Sequence, residues 1–224
     1  MAKNKKESAR TSIENLNEHL SSFEQKLEKN KKHVYIAVGV ILAIIIGFFA
    51  IKMINKNKFE KDTEKLGTAL TELSTNDSTA LVKLESLFKN SSTKPANLAG
   101  HSAAILHYQK GEYKEAAALL EKYEANGKLI GPAAKSLLGD CYVNLKKYEK
   151  AVEAFDAAIK GAGDNEAYTP LFMLKKATVL HALKKYADEA KVYQEINDKY
   201  PTFQMTNGIN IEKYLERANA MAGK

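Results

Sequence analysis

Residues 138–159 read "LGDCYVNLKKYEKAVEAFDAAI", and this stretch decides the fold of the chain. Apolar and small side chains recur at intervals of three and four residues on both sides of "NLKK", which predicts two amphipathic helices joined by a tight turn. Gly139 and Ala151 are small enough to let the two helices approach closely, and Phe155 is large enough to fill the groove between helix pairs. The stretch therefore predicts a closely packed pair of helices.

The same pattern occurs three times, as "GEYKEAAALLEKY" at 111–123, "KKYEKAVEAFDAAI" at 146–159 and "KKYADEAKVYQEI" at 184–196. The aligned tyrosines, Tyr113, Tyr148 and Tyr186, are 35 and 38 residues apart. A helix–turn–helix unit with a period near 34 residues resembles the tetratricopeptide repeat. The resemblance implies an α-solenoid of tetratricopeptide-like helix pairs. Together with an apolar segment near the N-terminus, which predicts a transmembrane helix and is described below, it leads us to expect an all-α chain.

The middle repeat carries the resemblance at its packing positions, Leu138, Gly139, Tyr142, Tyr148, Ala151, Phe155 and Ala158. The first repeat is looser, with Ala103 and Ala104 in place of Leu-Gly. The third repeat has Glu189 where the family has a small residue, and we expect its helix pair to be shifted or more open. A less typical helix pair precedes the repeats.

These patterns divide the chain into five parts. They are a basic cytoplasmic tail with an amphipathic helix (1–32), a transmembrane signal anchor (33–54), a divergent N-terminal helical pair (55–94), three tetratricopeptide-like repeats (95–202) and a C-terminal capping helix (203–224). The divergent pair and the C-terminal helix are expected to cap the two ends of the repeat stack, because stacked helix pairs otherwise expose an apolar face. Pro95, Pro132 and Pro170 are expected in the first turns of helices, and Pro201 is expected to stop one.

The apolar segment "HVYIAVGVILAIIIGFFAIKMI" at 33–54 predicts the anchor. Residues 34–51 are uncharged and span roughly 27 Å as a helix, close to the hydrocarbon thickness of a bilayer. A cleavable signal has a shorter apolar core and a shorter leader, which favours an uncleaved anchor. Gly39, Ala43 and Gly47 share one face, where a partner helix could pack closely; a passive anchor is the alternative.

The N-terminal tail has apolar residues at spacings of three and four, namely Ile13, Leu16, Leu20, Phe23 and Leu27. They predict a short amphipathic helix that either docks against a partner helix or lies at the lipid interface. Lysines flank the anchor on both sides, so the positive-inside rule does not orient it. A short basic tail before a first span favours a cytoplasmic N-terminus.

Charge and motifs give no indication of catalysis. The chain has 34 basic and 27 acidic residues, which are evenly mixed and unlike a nucleic-acid footprint. It has no Gly-rich phosphate loop, no H-E-x-x-H and no paired cysteines, so we predict neither an enzyme nor a cofactor, metal or small-molecule substrate. Cys141 and His107 are interpreted as structural residues of the helix packing.

A tetratricopeptide stack implies a concave groove lined by the first helix of each pair. The family's groove positions correspond here to His101, Ile105, Tyr108, Gln109, Ser136, Asp140, Val143, Asn144, Leu174, Thr178 and His181. This mixed surface suits an extended or helical polypeptide with apolar anchors. The alternative is that they are ordinary, partly buried helix-face residues.

The layout resembles a bacterial family of single-span tetratricopeptide proteins that are ancillary subunits of the SecYEG translocon. The passage "KPANLAGHSAAILHYQKGEYKEAAALLEKY" at 94–123 is especially similar. The resemblance implies a single-pass protein of the bacterial inner membrane, with a cytoplasmic N-terminus and a periplasmic C-terminal domain. Its partners would be SecYEG, periplasmic chaperones or translocating polypeptides. The alternative is a scaffold in cell-envelope, division or specialised secretion machinery.

Overall fold

The computed structural model describes Ser21 and residues 28–223, and α-helices are the regular elements of this part of the chain. In chain order the helices are α1 Lys31–Glu72, α2 Asp77–Asn90, α3 Lys94–Gln109, α4 Tyr113–Lys122, α5 Ile130–Asn144, α6 Tyr148–Ala162, α7 Thr169–Ala182, α8 Tyr186–Lys199, α9 Pro201–Asn207 and α10 Ile211–Met221. The chain divides into two compact units, Met1–Asn57 and Lys58–Lys224. The all-α prediction is confirmed.

The three repeats share one turn between their helices. Tyr113, Tyr148 and Tyr186 each begin the second helix of a pair, as the sequence predicted. Two residues earlier the backbone is left-handed, at Gly111 in the first repeat and at Lys146 and Lys184 in the others. The next amide donates to a carbonyl five residues back in all three turns, which is the Schellman pattern.

Contact between a glycine and a phenylalanine ring sets the helix spacing at two places, within the second repeat and between the divergent pair and the first repeat. A Cβ atom added at Gly139 would lie 2.6 Å from Cε1 of Phe155, and one added at Gly100 would lie 2.5 Å from Cδ2 of Phe88. Neither gap could hold a side chain without movement of the ring. The close approach predicted for Gly139 is confirmed, and the same contact joins α3 to α2.

The divergent N-terminal pair is fixed to the first repeat by apolar and polar contacts. Leu66 of α1 and Leu84 of α2 belong to one buried cluster with Ala99 of α3. Beside this cluster the Oδ2 atom of Asp62 accepts hydrogen bonds from the hydroxyls of Ser91, at 2.5 Å, and Thr93, at 2.7 Å. Because Thr93 is also the N-cap of α3, the carboxylate of Asp62 ties α1 to the start of the repeats.

Prolines and a glycine mark the helix ends. Pro95 and Pro170 lie in the first turns of α3 and α7, as expected. α8 ends at Lys199, just before Pro201, but Pro201 also begins the short helix α9. The sequence predicted one capping helix over 203–224, and this prediction is wrong. The region contains the end of α9 and a separate helix, α10, because Gly208 adopts a left-handed conformation between them.

Replacement of Gly139 by alanine should destabilise the fold by about 1–3 kcal/mol, since the added methyl group overpacks the ring of Phe155. Gly67 is the matched control, because it is also helical but has open space at its Cβ position. The Gly67→Ala variant should gain about 0.5–1 kcal/mol. Denaturant unfolding of the full-length protein measures both changes, and equal effects of the two substitutions would contradict the packing described.

Candidate polypeptide-binding groove

The first helices of the three repeats, α3, α5 and α7, carry the predicted groove residues. Ser136 is buried, while Gln109, Asn144 and Thr178 are exposed. The remaining seven are partly buried, namely His101, Ile105, Tyr108, Asp140, Val143, Leu174 and His181. Each repeat thus contributes one exposed polar side chain next to partly buried apolar or aromatic ones.

A salt bridge connects the second and third repeats along this surface. The ammonium group of Lys175 on α7 lies 2.5 Å from Oδ2 of Asp140 and 3.3 Å from Oγ of Ser136, both on α5. Burial raises the pKa of Asp140 and Lys175 lowers it, and burial outweighs the salt bridge. The sequence reasoning missed Lys175, because its separation of 35 residues from Asp140 does not match the 38-residue spacing of these two repeats.

Aromatic contacts inside the repeats fix several groove side chains. The rings of Tyr108 and Tyr113 meet edge to face at 5.3 Å, and those of His181 and Tyr186 at 5.4 Å. His101 lies 5.1 Å from the ring of Tyr123, and burial lowers the pKa of His101. His101 is therefore a neutral hydrogen-bonding group at pH 7 rather than a cation.

A buried carboxylate joins the third repeat to the C-terminal helix. Glu189 is completely buried, with Oε2 2.9 Å from Nδ1 of His181 and Oε1 2.9 Å from a guanidinium nitrogen of Arg217 on α10. The equivalent positions in the first two repeats are buried alanines, Ala116 and Ala151. The third pair tolerates Glu189 because the guanidinium of Arg217 compensates its charge and the ring of His181 contacts its other oxygen.

The third helix pair stays closely packed despite Glu189. Ala177 of α7 is fully buried, and Tyr193 and Ile196 of α8 are almost completely buried with it. Ile211 and Ala218 of α10 join the same cluster. α10 thus covers the apolar face that the last repeat would otherwise expose.

His107 is held between two carboxylates at the junction of the first repeat with α2. Its Nδ1 lies 2.5 Å from Glu112 and its Nε2 lies 2.7 Å from Glu85. Both ring nitrogens can donate only in the imidazolium form. Burial lowers the pKa of His107, but the hydrogen bonds and charges of Glu85 and Glu112 outweigh burial and raise it overall. The geometry shows a structural contact.

The one thiol of the chain is buried. Burial and the charge of Asp140 raise the pKa of Cys141 to about 12, so the thiol remains protonated and is a poor nucleophile. Across Ser21 and residues 28–223, no group of three His, Cys, Asp or Glu side chains is arranged to hold a metal ion.

Within the described residues, α1 is the one helix long and apolar enough to cross a membrane by length and composition. Its apolar window has no buried residue, whereas the core helix of a soluble protein would be mostly buried. A signal sequence near the N-terminus would meet the same criteria. A Cβ atom at Gly39 or Gly47 has no neighbour within 4 Å, and Ala43 is exposed. The predicted tail contacts, Ile13, Leu16, Leu20, Phe23 and Leu27, lie outside the described residues.

Comparison with known proteins supports the repeat assignment. The family model of the tetratricopeptide repeat matches residues 101–167, which include the first two helix pairs from His101 onward. No curated protein matches the chain. Together with the consecutive packing of α3 to α8, this match supports a tetratricopeptide-repeat protein. Such repeats typically mediate protein–protein interaction rather than catalysis.

Replacement of Arg217 by alanine should destabilise the protein by about 2 kcal/mol or more, because Glu189 would stay buried with one cation missing. The double variant Glu189→Ala/Arg217→Ala removes the buried charge and restores the alanine of the other repeats. It should be more stable than Arg217→Ala alone. Urea unfolding of the full-length protein measures these differences.

The Arg217→Lys variant is the control, since it keeps the positive charge and should lose less stability than Arg217→Ala. If the double variant proved as unstable as Arg217→Ala, the loss would come from α10 packing and not from the uncompensated carboxylate.

The contact of His107 with Glu85 and Glu112 should make stability depend on pH. Because the pKa of His107 is raised in the folded state, its contribution is complete below the unfolded value of about 6.5 and is lost as pH rises through the folded value. The melting temperature of the wild type should therefore exceed that of His107→Gln by more at pH 5.5 than at pH 9. The other histidines are present in both proteins, so their effects cancel in the difference between the two melting temperatures. If that difference does not change with pH, His107 makes no ion-pair contribution to stability.

Proposed function

We propose that this protein is a membrane-anchored adaptor whose repeat groove binds segments of other polypeptides. The row of exposed polar side chains, Gln109, Asn144 and Thr178, carries this proposal. One comes from each repeat, and all three accompany partly buried apolar neighbours. Asn144 and Thr178 already donate to carbonyls of their own helices, at Asp140 and Leu174, and their oxygens face solvent as acceptors. These acceptors and the amide of Gln109 can satisfy the backbone of an extended peptide, while apolar neighbours hold its side chains.

The charges of the groove favour a partner that is not strongly charged. Lys175 and Asp140 are partly exposed, but each compensates the other. Ile105, Val143 and Leu174 add apolar surface on successive repeats. A surface of this kind suits weak binding to polypeptides of varied sequence, which is what an adaptor for translocating chains or their chaperones requires.

The apolar window of α1 supports the anchor, since its side chains are exposed over a length that matches a bilayer. The family resemblance supports a more specific proposal, that the protein is an ancillary subunit of the SecYEG translocon. It lies in the bacterial inner membrane as a single-pass protein, with the tail in the cytoplasm and the repeats in the periplasm. The face with Gly39, Ala43 and Gly47 packs against a helix of the channel.

Affinity purification of the full-length protein in mild detergent tests the two surfaces separately. The groove variant Asn144→Arg/Thr178→Arg should lower recovery of client polypeptides about tenfold, which corresponds to about 1.4 kcal/mol. The span variant Gly39→Leu/Gly47→Leu should still insert, because both positions are open, but it should recover fewer channel subunits. Quantitative mass spectrometry of the recovered proteins measures both effects.

Ala118→Arg/Ala157→Arg is the matched control for the groove, since it places two arginines at exposed positions of the second helices. Equal client recovery from the groove and control variants would exclude the groove as the binding surface. If channel subunits are no more abundant than with an unrelated single-span protein, the translocon assignment is wrong. Recovery of a division or secretion complex in their place would favour the scaffold alternative.

A further inference from the structure

A cavity of about 770 Å³ lies between residues 58–68 of α1 and residues 82–90 of α2, with Ser91 just after α2 also in its wall. Its size is within the range of small-ligand pockets, about 300–1,000 Å³. The walls come from the divergent N-terminal pair and include none of the predicted groove residues. The protein–protein interaction role of the repeats therefore leaves this cavity unexplained.

Three lysines line one wall of the cavity. Lys58, Lys61 and Lys65 are spaced at i, i+3 and i+7, so they share one face of α1. Among residues 28–223, none of the three has an ion-pair partner within 4 Å. Lys83 on the opposite wall is different, because it is paired with Glu72. The α1 wall thus offers three ammonium groups to an anion.

The carboxylates of the cavity do not neutralise these lysines by direct pairing. Asp62 is only 4% exposed, and its Oδ2 accepts the hydroxyl hydrogen bonds of Ser91 and Thr93. Burial raises the pKa of Asp62, but these hydrogen bonds and the charges of Lys65 and Lys58 outweigh burial and lower it. Asp62 is therefore a charged structural group of the wall, and Glu64 lies exposed on α1.

The α2 wall adds an apolar surface. Val82 is 65% exposed and lines the cavity together with the buried Leu87. A ligand that fills the cavity would contact ammonium groups on one side and an exposed isopropyl group on the other. This combination fits an amphipathic anion better than a small inorganic one.

The position of the lysines along the chain indicates the source of that anion. Lys58 is four residues after Ile54, the last residue of the predicted anchor. Basic side chains just outside a membrane span attract anionic lipid headgroups. We propose that the cavity binds an anionic phospholipid, with its phosphate at Lys58, Lys61 and Lys65 and the first carbons of its acyl chains against Val82. This inference rests on the proposed membrane anchor.

A fluorescent reporter at the cavity can test the binding directly. The chain contains no tryptophan, so Val82→Trp adds a single indole to the cavity wall. The full-length reporter protein, in an uncharged detergent, is titrated with dihexanoylphosphatidylglycerol. Saturable binding is expected, and Lys58→Gln/Lys61→Gln/Lys65→Gln should weaken it by about fivefold per lysine, on the order of a hundredfold in total.

The control variant Lys114→Gln/Lys160→Gln/Lys213→Gln removes the same charge from exposed positions elsewhere and should bind like the wild type. Equal affinity of the two triple variants would overturn the proposal. So would equal binding of dihexanoylphosphatidylcholine. Saturation by inorganic phosphate at the same concentration as the lipid would also overturn it, since the site would then bind free phosphate.

The amount of phosphatidylglycerol that co-purifies with the native Val82 protein and with its lysine variants gives a second readout without the reporter. Retention should fall in the cavity triple variant and stay unchanged in the control triple variant. Loss of phosphatidylglycerol from both would overturn the proposal, because the effect would then come from net charge alone.

Flotation with vesicles of phosphatidylcholine alone separates this inference from the anchor. If the protein floats but shows no lysine-dependent preference for phosphatidylglycerol, the cavity proposal fails and the anchor stands. If it does not float but still binds dihexanoylphosphatidylglycerol through the three lysines, the anchor fails and the cavity assignment is supported.

Discussion

Close approach of two helices at a residue without a side chain is the constraint on which the repeat stack depends. Gly139 faces the ring of Phe155, and Gly100 faces the ring of Phe88, at distances that a methyl group would violate. The first contact sets the distance between α5 and α6 within the second repeat, and the second sets the distance between α2 and α3 at the start of the stack. The groove that we propose lies on α3, α5 and α7, the first helices of the repeats.

Polar contacts then join one unit of the stack to the next. Asp62 ties α1 to the start of α3, Lys175 joins α7 to α5, and Glu189 joins α8 to α10. A partly or fully buried charge adds little net stability when it is paired, but it is costly when its partner is removed. These pairs therefore specify which helices are neighbours, while the apolar clusters supply most of the stabilisation.

The groove and the basic cavity are surfaces of different origin. The proposed groove comes from the first helices of the repeats, where Gln109 and Asn144 occupy equivalent positions and Thr178 lies one helical turn earlier in its repeat. The cavity comes from the divergent pair, where Lys58 of α1 and Val82 of α2 both line its walls. A surface built from successive repeats can follow an extended polypeptide, whereas the cavity of the divergent α1–α2 pair can hold only a compact ligand.

The sequence by itself determined the helix pairs of the repeats and the turns within them, because these depend on local periodicity and on a few positions such as Gly139 and Tyr148. The resemblance to the repeat family also predicts which helix face lines a groove, and this stays a prediction. Only the tertiary structure decided how Glu189 is compensated, since Arg217 lies 28 residues away on a helix outside the repeat pattern. The cavity likewise requires two segments that no periodicity relates, and only packing brings their side chains together.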